Sequence, residues 1–253
     1  MYPEQMIASA ARLKEKCREL NFAGNIETVY NPLEYAWAPY EQYLRRFASP
    51  PKKTVFLGMN PGPWGMAQTG VPFGEIGAVK NWLKIEAPVT KPAHEIPKRP
   101  VTGFSCSRSE VSGRRVWGLM RKRFNTPEQF FTDHFIANYC PLIFFDTNGR
   151  NLTPDKLKKE DRERLFHMCD RHLIETIELL QPVFLVGFGK FAESRLLAVQ
   201  ESLPDGEKER RTVLRVLHPS PANPHANRGW EEQTETALQS AGVWQFSSAA
   251  KQS

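Results

Sequence analysis

Four short apolar runs recur along the chain, and each is followed by turn-forming residues. They are rich in β-branched and aromatic side chains, a composition typical of strands that are buried on both faces. The runs cover residues 54–58, 135–139, 182–187 and 212–217. Apolar positions at helical spacing lie between and around them. These positions predict helices near residues 3–20, 34–47, 112–124, 154–180, 189–201 and 227–241.

The stretch 154–180 has the clearest helical pattern. Pro154 suits the first turn of a helix, because proline lacks an N–H that would be unpaired at that position in any case. Apolar side chains then recur every three or four residues, at Leu165, Cys169, Leu173, Ile177 and Leu180. The alternation of strands with helices favours βαβ units and a mainly parallel sheet that is covered on both sides.

The domain organisation is interpreted from length and composition. A chain of 253 residues allows one large domain or two small ones. The Pro-rich, basic segment 87–103 is interpreted as a long surface loop within a domain and not as a linker. No internal repeat or low-complexity tract divides the sequence. We therefore expect a single domain over 1–253, with a flexible tail at about 245–253.

Composition excludes several classes of protein as first hypotheses. The chain is 40% hydrophobic and 25% charged, which is ordinary for a chain that buries a core. No apolar run approaches the roughly 18 residues of a membrane span, and the N-terminal segment lacks a signal-peptide core. We expect an intracellular protein, in the cytoplasm or nucleoid of a bacterium or the nucleus of a eukaryote, with no membrane partner.

The cysteines and the net charge indicate what the protein binds. The four cysteines are far apart and lack the spacing of zinc or iron–sulfur ligands, so no metal site is expected. A net charge of +6 favours a polyanionic partner. Two interpretations remain open for one group of basic residues, a solvated face or a track for phosphates. This group is Lys98, Arg99, Arg108, Arg114 and Arg115.

Ligands of open α/β sheets bind outside the carboxyl ends of the strands. Three predicted strand ends carry unusual residues, namely GMNPGPWG at 58–65, NYCPL at 138–142 and HPSPANPHANRGW at 218–230. The fourth, GFGK at 187–190, is followed by Phe191 and lacks the spacing of a phosphate-binding loop, so it predicts a strand-to-helix turn.

The three unusual strand ends favour a ligand pocket. The glycines and prolines of 58–74 make a loop that is stiff and that a ligand can approach closely. Asn138 is explained either as a turn former or as an amide that reads the edge of a base. His218 precedes a proline, which biases it toward an extended conformation and fixes the direction of its ring.

The motifs GMNPGPWGMAQTGVPFGE and HPSPANPHANRGW resemble the single-strand-selective monofunctional uracil-DNA glycosylase family of the uracil-DNA glycosylase superfamily. The segments NYCPL, SEVSGRRVWG at 109–118 and GRNLTP at 149–154 are also similar, and the likeness runs from about 25 to 243. It implies a three-layer α/β fold, in which helices flank a central four-stranded parallel β-sheet. It also implies cleavage of the bond between uracil and deoxyribose in DNA.

The resemblance implies two catalytic residues and four that bind the base. Asn60 is expected to position the attacking water, and His218 to support the departing base. The base-binding residues are expected to line the 5-position, stack on the ring and read the pairing edge. They are, in that order, Gly62 with Met66, Phe73, and Asn138. No metal or organic cofactor is expected, and small Gly62 leaves room for 5-hydroxymethyluracil and related oxidised uracils.

The segment 221–230 resembles the family's wedge, which opens the base stack of DNA. The expected DNA contacts are Pro221, Ala222, Asn223, His225, Asn227 and Arg228, together with Arg114 and Arg115. The resemblance implies an arginine after HPSP, but this chain has Ala222 there. We therefore expect either weaker insertion into duplex DNA, with a sharper preference for single strands, or insertion that uses His225, Asn227 or Arg228.

The two central motifs contain no lysine that could attack the sugar, which predicts a monofunctional enzyme without lyase activity. We expect it to act in base excision repair on single- and double-stranded DNA, without an obligate protein partner. Two alternatives remain. One is a member of the superfamily with another damaged-base specificity, and the other is a nucleic-acid-binding protein without catalysis.

Overall fold

The computed structural model describes residues 2–245. The predicted tail therefore lies, apart from Gln245, outside the described residues. The strands are β1 (Thr28–Tyr30), β2 (Thr54–Gly58), β3 (His134–Asn138), β4 (Ile143–Phe145), β5 (Asn151–Leu152), β6 (Phe184–Phe188) and β7 (Thr212–Val216). The helices are α1 (Tyr2–Arg18), α2 (Pro32–Tyr35), α3 (Trp37–Phe47), α4 (Met66–Thr69), α5 (Val111–Phe124), α6 (Pro127–Asp133), α7 (Lys159–Leu180), α8 (Gly189–Glu201), α9 (Asp205–Lys208) and α10 (Trp230–Ser240).

The predicted four-stranded parallel sheet is confirmed, with the strand order β3-β2-β6-β7. All three pairings are parallel, and Gly58 at the end of β2 lies opposite Asn138 at the end of β3. Every residue of β2 is buried, as expected for a central strand with helices on both faces. The carboxyl ends of β2, β3, β6 and β7 therefore meet at one edge of the sheet.

Helices flank this sheet, which confirms the predicted three-layer α/β architecture. Helix α7 packs against α1 and α8, and α8 covers β6 and β7. Helix α5 contacts α6 and α10, and α10 also contacts β7. The turn predicted at 187–190 is confirmed, because β6 leads directly into α8 at Gly189, whose φ of 86° suits glycine. Residues 86–102 form irregular structure, as predicted for the surface loop.

A second sheet, of three antiparallel strands in the order β1-β4-β5, was not predicted. Its strands are two or three residues long, which is too short for a pattern of apolar positions to be recognised. The sheet has functional importance because β4 follows the NYCPL segment and β5 contains Asn151. It therefore holds the GRNLTP segment beside the end of β3.

The apolar stripe predicted for α7 is buried at all five of its positions. The predicted start of this helix at residue 154 was wrong. Pro154 begins a separate 3₁₀ turn that ends at Lys156, and α7 begins at Lys159. Leu157 lies between the two in an extended conformation with its side chain in the core, and this interrupts the helix.

Two further predicted helices are each divided. The helix predicted over 34–47 consists of α2 and α3, which are separated by the non-helical backbone of Ala36. The helix predicted over 227–241 is also divided. Its start belongs to a 3₁₀ turn over residues 226–228, and α10 begins only at Trp230. The break follows from Gly229, whose φ of 93° lies in a region that helical residues do not adopt. Within residues 2–245, no helix is both long enough and apolar enough to cross a membrane.

Two adjacent leucines in α8 give a test of the core. Leu196 is fully buried, whereas Leu197 is 47% exposed. We expect Leu196→Ala to lower the free energy of unfolding by about 3 kcal/mol, because it removes buried methyl groups and leaves a cavity. Leu197→Ala is the matched control and is expected to change it by less than about 1 kcal/mol. Urea unfolding of both variants checks the prediction, and equal effects would contradict this packing of α8.

Candidate active site

A cavity of about 420 Å³ opens at the carboxyl edge of the parallel sheet. Its size is within the range of pockets that bind small molecules. Five residues predicted for the site line this cavity, namely Asn60, Gly62, Phe73, Asn138 and His218. They lie at or after the carboxyl ends of β2, β3 and β7. The topology therefore brings together side chains that are far apart in the sequence.

The close approach of Asn138 and Phe73 depends on Gly58. A Cβ atom on Gly58 would lie 2.3 Å from Asn138 Oδ1 and 2.6 Å from Phe73 Cε2, both shorter than any normal contact. Only glycine therefore allows the amide and the aromatic ring to meet at the end of β2.

The ring of Phe73 is held by an unusual backbone conformation. Its φ of 53° lies in the left-handed region, where a non-glycine residue is uncommon. Gly113 of α5 approaches the Phe73 carbonyl so closely that a Cβ at 113 would lie 2.1 Å from the oxygen. On the other side the ring packs edge-on against Phe188, with 5.0 Å between the ring centroids. These contacts fix the ring as one wall of the cavity.

Asn60 has a defined amide orientation. Its Nδ2 donates a hydrogen bond of 3.3 Å to the carbonyl oxygen of Leu142, in the segment between β3 and β4. This bond assigns the NH₂ group to the protein and leaves the Oδ1 atom as an acceptor for a ligand or water in the cavity.

His218 is held as a neutral hydrogen-bond donor. The backbone N–H of Ser220 donates to His218 Nδ1 over 3.1 Å, so Nδ1 is an acceptor and the proton of the neutral ring is on Nε2. Burial lowers the pKa of His218 below its ordinary value of 6.5. The ring also lies against the start of α8, where a Cβ on Gly189 would be 3.0 Å from His218 Cβ. At neutral pH the cavity therefore has an uncharged Nε2–H donor in a fixed position.

Asn138 contacts a weak partner. Its Nδ2 donates to the sulfur of Met66 over 3.2 Å, and a thioether is a poor acceptor. Met66 is buried and is not among the residues that line the cavity. Its expected place near the 5-position of the base stays a prediction. Met66 is the first residue of α4, and its sulfur holds the Nδ2 group of Asn138.

Glu110 lines the cavity and was not predicted as a site residue. It precedes α5 but does not cap that helix, and its carboxylate reaches the loop after β2. A Cβ on Gly62 would lie 1.9 Å from Glu110 Oε2. Burial raises the pKa of Glu110 to about 7, although the nearby backbone N–H groups of Trp64 and Gly65 oppose this shift.

Other residues of the cavity were also missed by the sequence analysis. Trp64 forms part of its wall and is covered by two guanidinium groups, Arg108 at 4.4 Å and Arg99 at 5.4 Å from the ring. Four small polar side chains complete the lining, namely Ser112, Asn151, Thr153 and Ser220. Most of them lie in the segments 109–118 and 149–154, whose similarity to the family was the only available signal.

The predicted wedge is held by hydrogen bonds to α5. Arg115 donates to the Pro219 carbonyl at 2.9 Å and to Asn227 Oδ1 at 2.8 Å. Asn227 in turn donates to the Pro221 carbonyl, and Asn223 donates to the His218 carbonyl. The side chains of Arg115, Asn223 and Asn227 thus fix the segment, and their contact with DNA stays a prediction.

The remaining predicted DNA contacts lie at the surface. The exposed residues are Pro221, Ala222, His225, Arg228 and Arg114. Arg114 has only a long hydrogen bond of 3.4 Å to Ser109. Among the other basic residues, Lys98 and Arg99 donate to the carbonyl groups of Asn148 and Gly149. Arg108 is exposed as well, and the contact of these exposed residues with DNA stays a prediction.

A family model described as the uracil DNA glycosylase superfamily matches residues 46–240, which include every strand of the parallel sheet and the cavity. The crystal structure of wild-type SMUG2 from Pedobacter heparinus is similar in fold. Its TM-score is 0.64 with 16% sequence identity, over 93% of this chain and 97% of that one. Fold and site thus define a member of the uracil-DNA glycosylase superfamily.

Curated relatives are more similar in sequence. The single-strand selective monofunctional uracil DNA glycosylase of Bos taurus is 44% identical over 95% of this chain and 87% of its own length. The proteins of that name from Mus musculus and Rattus norvegicus are 43% and 44% identical, over 95% of this chain and 85% of theirs. The chain belongs to the family of single-strand-selective monofunctional uracil-DNA glycosylases.

The titration of Glu110 predicts a pH-dependent stability. Its pKa of about 7 in the folded protein is above its ordinary value of 4.5, so the folded protein binds this proton more tightly than the unfolded chain. The stability contributed by the proton is present below about pH 4.5 and is lost as the pH rises through 7. We expect Glu110→Gln to gain roughly 2 kcal/mol relative to the wild type between pH 5 and pH 8.

Urea unfolding at several pH values measures this gain. The exposed Glu178 of α7 provides the matched control, because Glu178→Gln removes a carboxylate from a solvated position. Parallel pH curves for Glu110→Gln and the wild type would contradict the burial of a titrating carboxyl at position 110.

Proposed function

We propose that the protein is a monofunctional uracil-DNA glycosylase that removes uracil from DNA in base excision repair. The observation that carries this proposal is the neutral His218, which bears its proton on Nε2 and lines a nucleobase-sized cavity together with Asn60 and Asn138. The names of the curated relatives support the reaction.

His218 has the properties needed to stabilise the leaving base. Cleavage of an N-glycosidic bond places positive charge on the sugar and negative charge on the carbonyl oxygens of uracil. A fixed N–H donor aimed at O2 therefore stabilises the transition state more than the substrate, and one such donor is typically worth about 3–4 kcal/mol. The Ser220 N–H keeps the proton on Nε2, so no reorientation of the ring is required.

Asn60 orients water without removing a proton. Its Nδ2 is bound to the Leu142 carbonyl, and Oδ1 accepts a hydrogen bond from water on the cavity side. An amide is uncharged and cannot accept the proton as a carboxylate does. The reaction is therefore dissociative, with departure of the base first and late attack of water on the sugar cation.

Asn138 and Phe73 provide recognition of the base. Asn138 donates from Nδ2 to O4 and accepts N3–H at Oδ1, while Phe73 stacks on the ring. The Met66 sulfur is a weaker acceptor than O4, so the exchange of partners on binding is favourable. Cytosine presents a donor and a bare acceptor at these positions and leaves buried polar groups unpaired, which disfavours it strongly.

The DNA backbone and neighbouring bases lie along the exposed wall of the cavity. A base in a duplex must leave the stack to enter the site, and the segment 221–230 is placed to fill the gap. Trp64 with Arg108 provides an aromatic ring and a cation beside the cavity, the combination that binds unpaired nucleotides. The proposed substrates are single- and double-stranded DNA. The proposed excised bases are uracil, 5-hydroxymethyluracil and related oxidised uracils.

The cavity contains no amine for a lyase reaction, because no lysine is among its described lining residues. The product is therefore an intact strand with an abasic site, since cleavage through a Schiff base needs such a nucleophile.

The activity test uses end-labelled single-stranded DNA with one uracil, in EDTA, with and without hot alkali. We expect the wild type to give cleavage that depends on alkali, and His218→Ala to lower the rate about 10²–10³-fold through loss of the donor. His167→Ala, at an exposed position of α7, is the matched control and is expected to retain full activity.

Failure of the wild type to release uracil would overturn the proposed function and would direct the search to other damaged bases or to binding without catalysis. Alkali-independent cleavage, or borohydride trapping of a covalent adduct with DNA, would overturn the monofunctional assignment.

The presence of Ala222 predicts that the protein excises bases from single-stranded DNA in preference to duplex DNA. Its short side chain is exposed at the tip of the wedge segment, where it has little to insert into a base stack. We expect Ala222→Arg to increase excision from duplex DNA relative to single-stranded DNA. The ratio of single-turnover rates on the two substrates is the measurement, and Ala198→Arg on the exposed side of α8 controls for the added charge. An unchanged ratio would reject the role of Ala222.

A further inference from the structure

We propose that Glu110 is a specificity-determining residue, whose carboxylate accepts a hydrogen bond from a hydroxyl-bearing substituent on C5 of the base and disfavours a methyl group there. This inference rests on the proposed function and extends it to a residue outside the expected catalytic set.

The place of Glu110 follows from the walls of the cavity. In the proposed binding mode, O2 is directed at His218 and the pairing edge at Asn138, and the C5 side of the base faces Gly62 in the loop after β2, as the resemblance to the family implies. Gly62 leaves space on that loop, but the space is not empty. A Cβ on Gly62 would lie 1.9 Å from Glu110 Oε2 and 2.3 Å from Glu110 Cδ, so the carboxylate occupies it. The wall that faces C5 is therefore polar.

One oxygen of the Glu110 carboxylate lacks a hydrogen-bond partner. Oε2 is buried and makes no hydrogen bond with any residue in the described range 2–245. A buried acceptor without a partner is costly, so a ligand that supplies a donor gains binding energy. The hydroxyl of a 5-hydroxymethyl group provides that donor. A methyl group at the same place excludes water and leaves the acceptor unsatisfied, whereas uracil has only hydrogen at C5 and leaves room for water.

The ionisation of Glu110 determines the conditions of the test. Burial raises its pKa to about 7, and Glu75 is the charged neighbour that also raises it. At pH 8 the carboxylate form predominates and acts only as an acceptor. Comparisons between substrates are therefore best made at pH 8.

A purely structural role for Glu110 makes a different prediction. The backbone N–H groups of Trp64 and Gly65 lie near the carboxylate, so Glu110 also supports the loop after β2. Damage to that loop would lower the excision of every base by a similar factor. A residue that reads C5 changes the ratio between substrates, and this ratio separates the two roles.

The experiment measures single-turnover excision at pH 8 from one single-stranded sequence containing uracil, 5-hydroxymethyluracil or thymine. In Glu110→Met, which has an apolar side chain of similar length, we expect the rate for 5-hydroxymethyluracil relative to uracil to fall about ten-fold or more. The rate for thymine relative to uracil is expected to rise. Glu110→Gln keeps an acceptor and the shape of the side chain, so it should give an intermediate ratio.

The possible outcomes distinguish a failure of the proposed function from a failure of the proposed role of Glu110. Glu178→Met at an exposed position is the matched control and should leave all ratios unchanged. Lack of uracil excision by the wild type overturns the proposed function. Uracil excision with unchanged ratios in both Glu110 variants overturns only the role of Glu110. If Glu110→Met does not fold, Glu110→Gln decides the question, since an unchanged ratio in that variant also rejects the proposal.

Discussion

The parallel pairing of β2 with β3 places Gly58 directly opposite Asn138, and the cavity depends on the missing side chain at Gly58. A single methyl group there would overlap with both the Asn138 amide and the Phe73 ring. The left-handed backbone of Phe73 and its contact with Phe188 have a function only if that ring reaches the end of β2. The recognition groups of the site thus converge on one backbone position.

Much of the fold could be predicted from the sequence. The strands of the parallel sheet and the stripe of α7 each carry a local periodic signal. The short antiparallel sheet and the break at Leu157 carry none, because they result from packing between distant segments. The residues of the candidate site show the same difference between local sequence signals and packing of distant segments. Asn60 and His218 stand in distinctive motifs, whereas the position of Glu110 beside Gly62 depends on how α5 meets the loop after β2.

Burial acts on two ionisable groups of the cavity in the same direction, toward the uncharged form. It lowers the pKa of His218 and raises that of Glu110. The site is therefore less charged at neutral pH than its residue types indicate, although the chain as a whole is basic. The cavity thus presents mainly uncharged hydrogen-bond donors and acceptors, and the guanidinium groups of Arg99 and Arg108 lie over the ring of Trp64 in its wall.

The hydrogen bonds of Arg115 have a mechanical consequence. This guanidinium joins α5 to the carbonyl of Pro219 and to Asn227, while Asn223 is bound to the carbonyl of His218 itself. The segment 219–227 and the backbone of His218 therefore form one hydrogen-bonded unit with α5. Replacement of Arg115 therefore removes the link between α5 and the backbone next to His218.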